Sequence, residues 1–466
     1  MKRWTSIAIA FGIGLGFQLF LESLFPYSAI GFDPMGQYIL ELYSHPPLIH
    51  IVSSGIIYYL VSLGINDVVH DPLLTIKLLD SLISGLFIAA LYYFTSKTIG
   101  DNFALPLALI AFFSYQFFAF SWGFEKEIIA FSIFLVIATI RNFNLRNFLI
   151  TLPMIIISGL ADPTIIPLEF IWFLLLAIKQ HRFISYDIFL FIVGGIQIYL
   201  FGVYGISGEA FALNIIASLY TPSNLFAIGF LAIIMLLPFV ILLPDLVEWM
   251  KDKEKMMENP MFLLLISLLF ATLVAGYFAA RYIMFASVFL FLLVPLKDVK
   301  KRGRSAVLVT ITILVAASFL IMPVSNPSPV FGSHLNMESG EIDIVPGSIQ
   351  QSTVPIEDAP TLVHLYSYIN QHYSGNSSRI KVVTLLYTAA FAYESGIRAR
   401  NIIDFYTNYG EMINTSANLV REGYAVYAVW WVSGGWYGIN SLSPGFKLIR
   451  AENGFGLYEF NSSASQ

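Results

Sequence analysis

Asp33, Glu125, Lys126, Glu127 and Arg281 are the side chains of this 466-residue chain that invite chemistry. Each stands at the end of a long apolar run, in a sequence of which only 12% is charged. Charge in such places is costly unless it is paired or at work. A carboxylate facing fixed cations can take a proton from a hydroxyl while the cations meet charge growing on a phosphate. Lys77, near the start of another apolar run, and His45, in the stretch GFDPMGQYILELYSHPPLIH, are further candidates. Taken singly, each residue has a plainer explanation. Asp33 before Pro34 would cap a surface helix. Glu125 and Lys126 would sit in a wet loop, and Arg281 or Lys77 would reach for lipid headgroups. His45 with Pro46 and Pro47 would form a stiff turn opening a helix. What argues for a site is that the sharper candidates all fall on one side of the apolar runs.

Positioning them is the task of those runs. The sequence is 57% hydrophobic and 16% aromatic, with a mean hydropathy of +0.74. Soluble domains carry about 25% charged residues. Runs of about 20 residues, continuous rather than alternating, predict a polytopic α-helical membrane protein and not a β-barrel. About eleven transmembrane helices are expected, near 4–24, 74–95, 103–122, 127–140, 148–162, 165–179, 187–205, 223–247, 261–277, 281–296 and 305–322. The opening MKRW and the run after it read as a retained first span, because no small-residue cleavage site follows. Lys2, Arg3, Lys97, Arg141, Arg146, Lys179, Arg182, the lysines at 251–255 and the cluster at 297–304 fall on one side. Within residues 1–322 only Lys77, Lys126 and Arg281 fall on the other. Short basic loops stay cytoplasmic, so the N-terminus is expected inside a multi-pass cell-membrane protein and everything after Met322 outside. Counting HPPLIHIVSSGIIYYLVSLGI as a span would invert every later loop. Residues 34–70 therefore read as part of one long external loop, 25–73, whose helices lie along the membrane surface.

Three regions follow from this: a transmembrane domain over 1–322, a Pro/Ser-rich linker over 323–360, and an extracytoplasmic soluble α/β domain over 361–466. In the last, TLVHLYSYINQHY and EMINTSANLVREG have helical spacing, whereas IKVVTLLY, YAVYAVWWV and FGLYEF read as strands. The aromatic YAVYAVWWVSGGWYG is expected to be strand and core before it is a sugar-stacking surface. Glycosylation tripeptides begin at Asn376, Asn414 and Asn461, in keeping with an external location. A net charge of −5 without a basic stripe gives no purchase for nucleic acid. The absence of cysteine excludes disulfides, thiolate zinc sites and thiol nucleophiles.

An acid straight after the first span, about a dozen residues, and then HPPL resembles the GT-C glycosyltransferases. More narrowly it is similar to the branch holding protein O-mannosyltransferases and lipid A aminoarabinose transferases. The likeness continues through IKLLDSLISGLFIAALYYFTSKTIG, FSWGFEKEIIAFSIFL and GLADPTIIPLEFIWFLLLAIK, covering roughly residues 1–180. Beyond that it consists of the span pattern and an ARY turn at Ala280–Tyr282. The resemblance implies a membrane enzyme that takes a sugar from a polyprenyl phosphate, such as dolichyl phosphate, on the non-cytoplasmic face. Its catalytic acid falls on Asp33, and its second-loop acid on Glu127 with Glu125 as competitor. Its basic residue of the second span falls on Lys77, and the arginine meeting the donor phosphate on Arg281. Lys126 and His45 would line the same substrate site. Many relatives show two adjacent acids in the first loop, whereas here Pro34 follows Asp33, which leaves the acceptor (protein, lipid or glycan) open.

The expected reaction is an inverting transfer with Asp33 as general base and no covalent intermediate. Phosphate charge is met by Arg and Lys, so no cofactor or metal is required, although a divalent ion is compatible with the scheme. Two other classes compete. A transporter or flippase would be expected to show internal repeats and mid-span charges, and a non-enzymatic scaffold would leave the acid–HPPL loop without purpose. An oligosaccharyltransferase catalytic subunit is less favoured, because WWVSGGWYG lies far into the tail and lacks the Asp of a WWDYG motif.

Overall fold

The computed structural model describes residues 3–31, 33–46, 51, 55–113, 124–140, 145–180, 263–269, 285–286, 334–336, 341–343, 358–373, 379–405, 409–433, 442 and 445–461. The spans expected at 187–205, 223–247 and 305–322 lie outside them, as does Arg281; those at 261–277 and 281–296 are represented by helical residues 263–269 and 285–286. Helix α1 (Arg3–Ser23) and α4 (Pro72–Thr98) are, among the described residues, the two helices long and apolar enough to cross a membrane. At 1.5 Å per residue they reach about 30 Å and about 40 Å. They lie against each other through glycines. A Cβ on Gly14 would come within 2.8 Å of the Ser84 carbonyl, and one on Gly85 within 2.9 Å of the Phe11 carbonyl. Small residues of this kind let two helix backbones approach where no water drives them together. The other face of α1 turns Ile9, Leu19 and Phe20 outward, as hydrocarbon contact requires.

Between these two helices the loop expected to be external is itself helical. A single turn of π-helix (Pro34–Tyr38) runs into α2 (Ile39–Ser44), and α3 (Ile56–Val69) follows. His45 ends α2 in a left-handed conformation (φ 46°), and the residues that follow Pro46, on which the expected helix start falls, lie outside the described residues until Ile51. Gly55 begins α3 at φ +109°, packed so tightly on the Ala161 carbonyl that no side chain fits. Asp71 then caps α4 by accepting the Leu74 N–H at 3.0 Å, with Pro72 in the first turn. Four shorter apolar helices follow among the described residues: α5 (Asp101–Phe112), α6 (Glu125–Ala138), α7 (Leu145–Ala161) and α8 (Ile165–Gln180). Phe285 of the late segment stacks on Phe131 of α6, with ring centres 3.6 Å apart.

Residues 358–461 build a five-stranded mixed sheet, and a two-stranded antiparallel pair (β1, His334–Asn336; β2, Glu341–Asp343) precedes it. The elements in chain order are α9 (Ala359–Tyr373), β3 (Ile380–Leu385), α10 (Leu386–Glu394), β4 (Ile402–Phe405), α11 (Tyr409–Arg421), β5 (Ala425–Trp431), β6 (Phe446–Glu452) and β7 (Phe455–Phe460). The sheet order is β4-β3-β5-β7-β6. The first three strands are parallel and joined through helices, and a β6–β7 hairpin adds antiparallel to β5. Strands buried on both faces read as continuous apolar runs, and β5 does so. Trp430 and Trp431 are buried, making this segment core as its sequence suggests. At the second glycosylation tripeptide, Asn414 is exposed on α11 while Ser416 is buried and bonded back to the Met412 carbonyl.

Candidate active site

The chain's approach to Asp33 is fixed from the end of α1. Glu22, buried there, accepts the Ile30 N–H at 3.3 Å and the Gln18 amide at 3.3 Å. Lys77, one turn into α4, donates to the Phe25 and Glu22 carbonyls. These bonds tie carbonyls at and just beyond the end of α1 to α4 and hold residues 24–31 against it. Asp33 then enters the π-turn with helical backbone angles (φ −65°, ψ −38°) and makes no capping bond to it. The plain explanation of Asp33 as an N-cap therefore does not hold. Its half-buried carboxylate receives the Tyr38 hydroxyl at 3.5 Å, from one turn further on.

Tyr38 is the hub. Its buried ring lies 4.2 Å from that of Tyr58 in α3, centre to centre, and Lys126 Nζ stands 4.5 Å over its face. Burial first, then the carboxylates of Asp33, Glu125 and Glu127, push the Tyr38 phenol well above its ordinary range, so it remains a hydrogen-bond donor. Lys126, buried at the start of α6, also faces Glu41 of α2 at 3.9 Å, and Glu41 accepts the Gln37 amide at 2.6 Å. Glu125 and Glu127 are buried on either side of it, in the first turn of α6, where the helix's positive end favours acids. On the far side Tyr58 donates to Asp80 of α4 at 2.8 Å. Glu41, Asp80 and Glu125 each keep one buried carboxylate oxygen without a hydrogen-bond partner among the described residues. Such atoms are expensive to bury and call for a physical explanation.

Of the residues singled out in the sequence, the structure brings Asp33, Glu125, Lys126 and Glu127 together. Lys77 is held apart from this cluster by its bonds to the end of α1, and His45 is exposed at the end of α2. Arg281 lies outside the described residues. Sequence reasoning missed Glu22, Tyr38, Glu41, Tyr58 and Asp80. Asp80 carried a readable signal, being a lone carboxylate inside the run IKLLDSLIS. Glu22 at the close of the first span carried the same one. The tyrosines carried none, since an aromatic in an apolar loop is ordinary.

No protein-family model matches the sequence, and no curated protein resembles it in sequence. The structure does have a counterpart. It superposes on the crystal structure of ArnT from Cupriavidus metallidurans bound to undecaprenyl phosphate, with a TM-score of 0.51 over 98% of each chain at 8% sequence identity. At that identity the likeness shows a shared fold, the polytopic membrane fold of the GT-C class, over essentially the whole length.

Proposed function

We propose that this protein is a membrane glycosyltransferase that moves a sugar from a polyprenyl phosphate to a hydroxyl acceptor on the outer face of the membrane. The observation that carries the reading is the meeting of Asp33 with Glu125, Lys126 and Glu127 around Tyr38, within a chain that shares the ArnT fold from end to end. Asp33 takes the acceptor's proton as its oxygen bonds to the anomeric carbon, and the bond to the phosphate breaks with its electron pair leaving on polyprenyl phosphate. A carboxylate of ordinary basicity suffices, because the proton moves only as the new bond forms. Displacement from the opposite face inverts the anomeric configuration.

Lys126 supplies the point charge for the departing phosphate, held in place by Glu41 and the Tyr38 ring. Arg281 is assigned the bidentate contact to the same phosphate. In support, Phe285, four residues beyond it, stacks on Phe131, one helical turn beyond Glu127. Lys77 moves in this reading from donor binding to holding the segment that leads to Asp33. Glu127, with Glu125 beside it, orients sugar or acceptor hydroxyls. In this reading the N-terminus lies in the cytoplasm and the mixed sheet outside, a topology supported by the preference of short basic loops for the cytoplasmic side. The test is to incubate purified protein with undecaprenyl- and dolichyl-phosphate sugars and measure free polyprenyl phosphate. Release that depends on an added hydroxyl acceptor is expected; no release with any donor overturns the reading.

A further inference from the structure

Helix α10, LYTAAFAYE, is not built like the surface of a separable domain. Thr388, Ala389, Ala390, Phe391 and Ala392 are all fully buried. One side packs on β3 and β4, and the other packs on the π-turn Pro34–Tyr38 and on α2. A helix apolar all round belongs in an interior. At its end Tyr393 stacks flat on Tyr43 of α2, with centres 4.6 Å apart and planes 11° from parallel. Glu394, the next residue, faces Asp71 and Lys77 at the head of α4 and Tyr43 of α2, and its Oε1 is buried without a hydrogen-bond partner among the described residues. Lys77 is the same lysine that ties down the end of α1. The α10 seam therefore packs on the π-turn after Asp33 and faces the lysine that holds the folded-back segment before it.

A π-turn is a rare, wide conformation that persists when surrounding packing holds it. The geometry points to Tyr393 and Glu394 as positioning residues: α10 is a fixed wall that keeps the Asp33 turn in register, not a lid that opens at each turnover. This rests on the reading of Asp33 as the base. Opening the seam would bare Tyr43, Phe391 and three alanines to water at every cycle, which a moving lid avoids.

Because the chain has no cysteine, the seam can be tested cleanly in the full-length protein. With Tyr43→Cys and Tyr393→Cys together, the stack is lost. The uncross-linked pair is expected to drop in kcat by up to about 10²-fold with the KM for the donor unchanged. A short, cleavable thiol cross-linker should return most of the lost kcat, and Tyr393→Phe, which keeps the stack, should retain it. A cross-linked enzyme that stops and restarts on cleavage, or an uncross-linked pair with normal kcat, overturns the proposal. A readout independent of sugar transfer is maleimide labelling of Glu394→Cys. Labelling far slower in the native than in the unfolded protein is expected, and equal rates overturn the seam. Protection without any transfer by the unmodified protein removes the enzymatic reading, and the positioning role with it, while leaving the seam itself standing.

Discussion

Lys126 shows how tightly charge is used here. It is buried between the Glu41 carboxylate and the Tyr38 face, flanked in sequence by two buried acids. Removing one partner of a buried ion pair costs about 3–5 kcal/mol, because the other is left uncompensated. Lys126→Met should therefore lower thermal stability by roughly 3 kcal/mol equivalent, and adding Glu41→Gln should recover part of it, as thermal unfolding in detergent would reveal. Asp33 predicts the opposite pattern. It is half-buried and makes no capping bond to the turn it enters, so that turn does not depend on its charge. Asp33→Asn should leave the unfolding temperature within a degree or two of the parent, yet reduce transfer about 10²–10⁴-fold, the usual worth of a general base. Near-parental turnover in that variant would remove the base from the scheme.

At the scale of elements, the site depends on α1 and α4 lying close, since the Glu22–Lys77 tie spans that contact. Val at Gly85 would place its Cβ within 3 Å of the Phe11 carbonyl and ring, and neither can move far in a packed pair. Gly85→Val should push α1 outward at a cost of about 1–3 kcal/mol, the usual range for overpacking, and should loosen Asp33 as well. A fall in both unfolding temperature and transfer is expected, against Asp33→Asn, where only transfer falls. The short helices α2 and α3 matter for a different reason. They carry Glu41, Tyr38's neighbours and Tyr58, and so supply the buried face on which α6 sets its three charges.

For the whole molecule, pH should act through the α10 seam. Burial, and then the charge of Asp71, raise Glu394 from an ordinary 4.5 to about 8, with Lys77 opposing. An undocked Glu394 would lose its proton near 4.5, whereas the docked one keeps it up to about 8. Docking thus binds a proton throughout that interval. Its stability is full below pH 4.5, falls as pH rises through the window and levels off above about 8. Greater protection of a cysteine at Phe391 at pH 5 than at pH 8, taken as the native labelling rate relative to the unfolded rate at the same pH, would bear this out, and Glu394→Gln should flatten the difference.

Much of this was legible in the residues alone, wherever a local rule decided the matter. The scarcity of charge and the length of the apolar runs call for helices in a membrane, because hydrocarbon tolerates neither bare backbone nor charge. The acids of FEKE and Asp33 stood out by the same rule, as did strands in the tail by their short apolar runs. What only the tertiary structure decided is who meets whom. Lys77 and Lys126 look alike in sequence, yet one reaches back to the carbonyls of α1 and the other is pinned over Tyr38. Tyr38, Tyr58 and Tyr393 gain their meaning from partners between 20 and 350 residues distant, or about that. Such contacts depend on how whole helices stack, and no spacing along the chain encodes them.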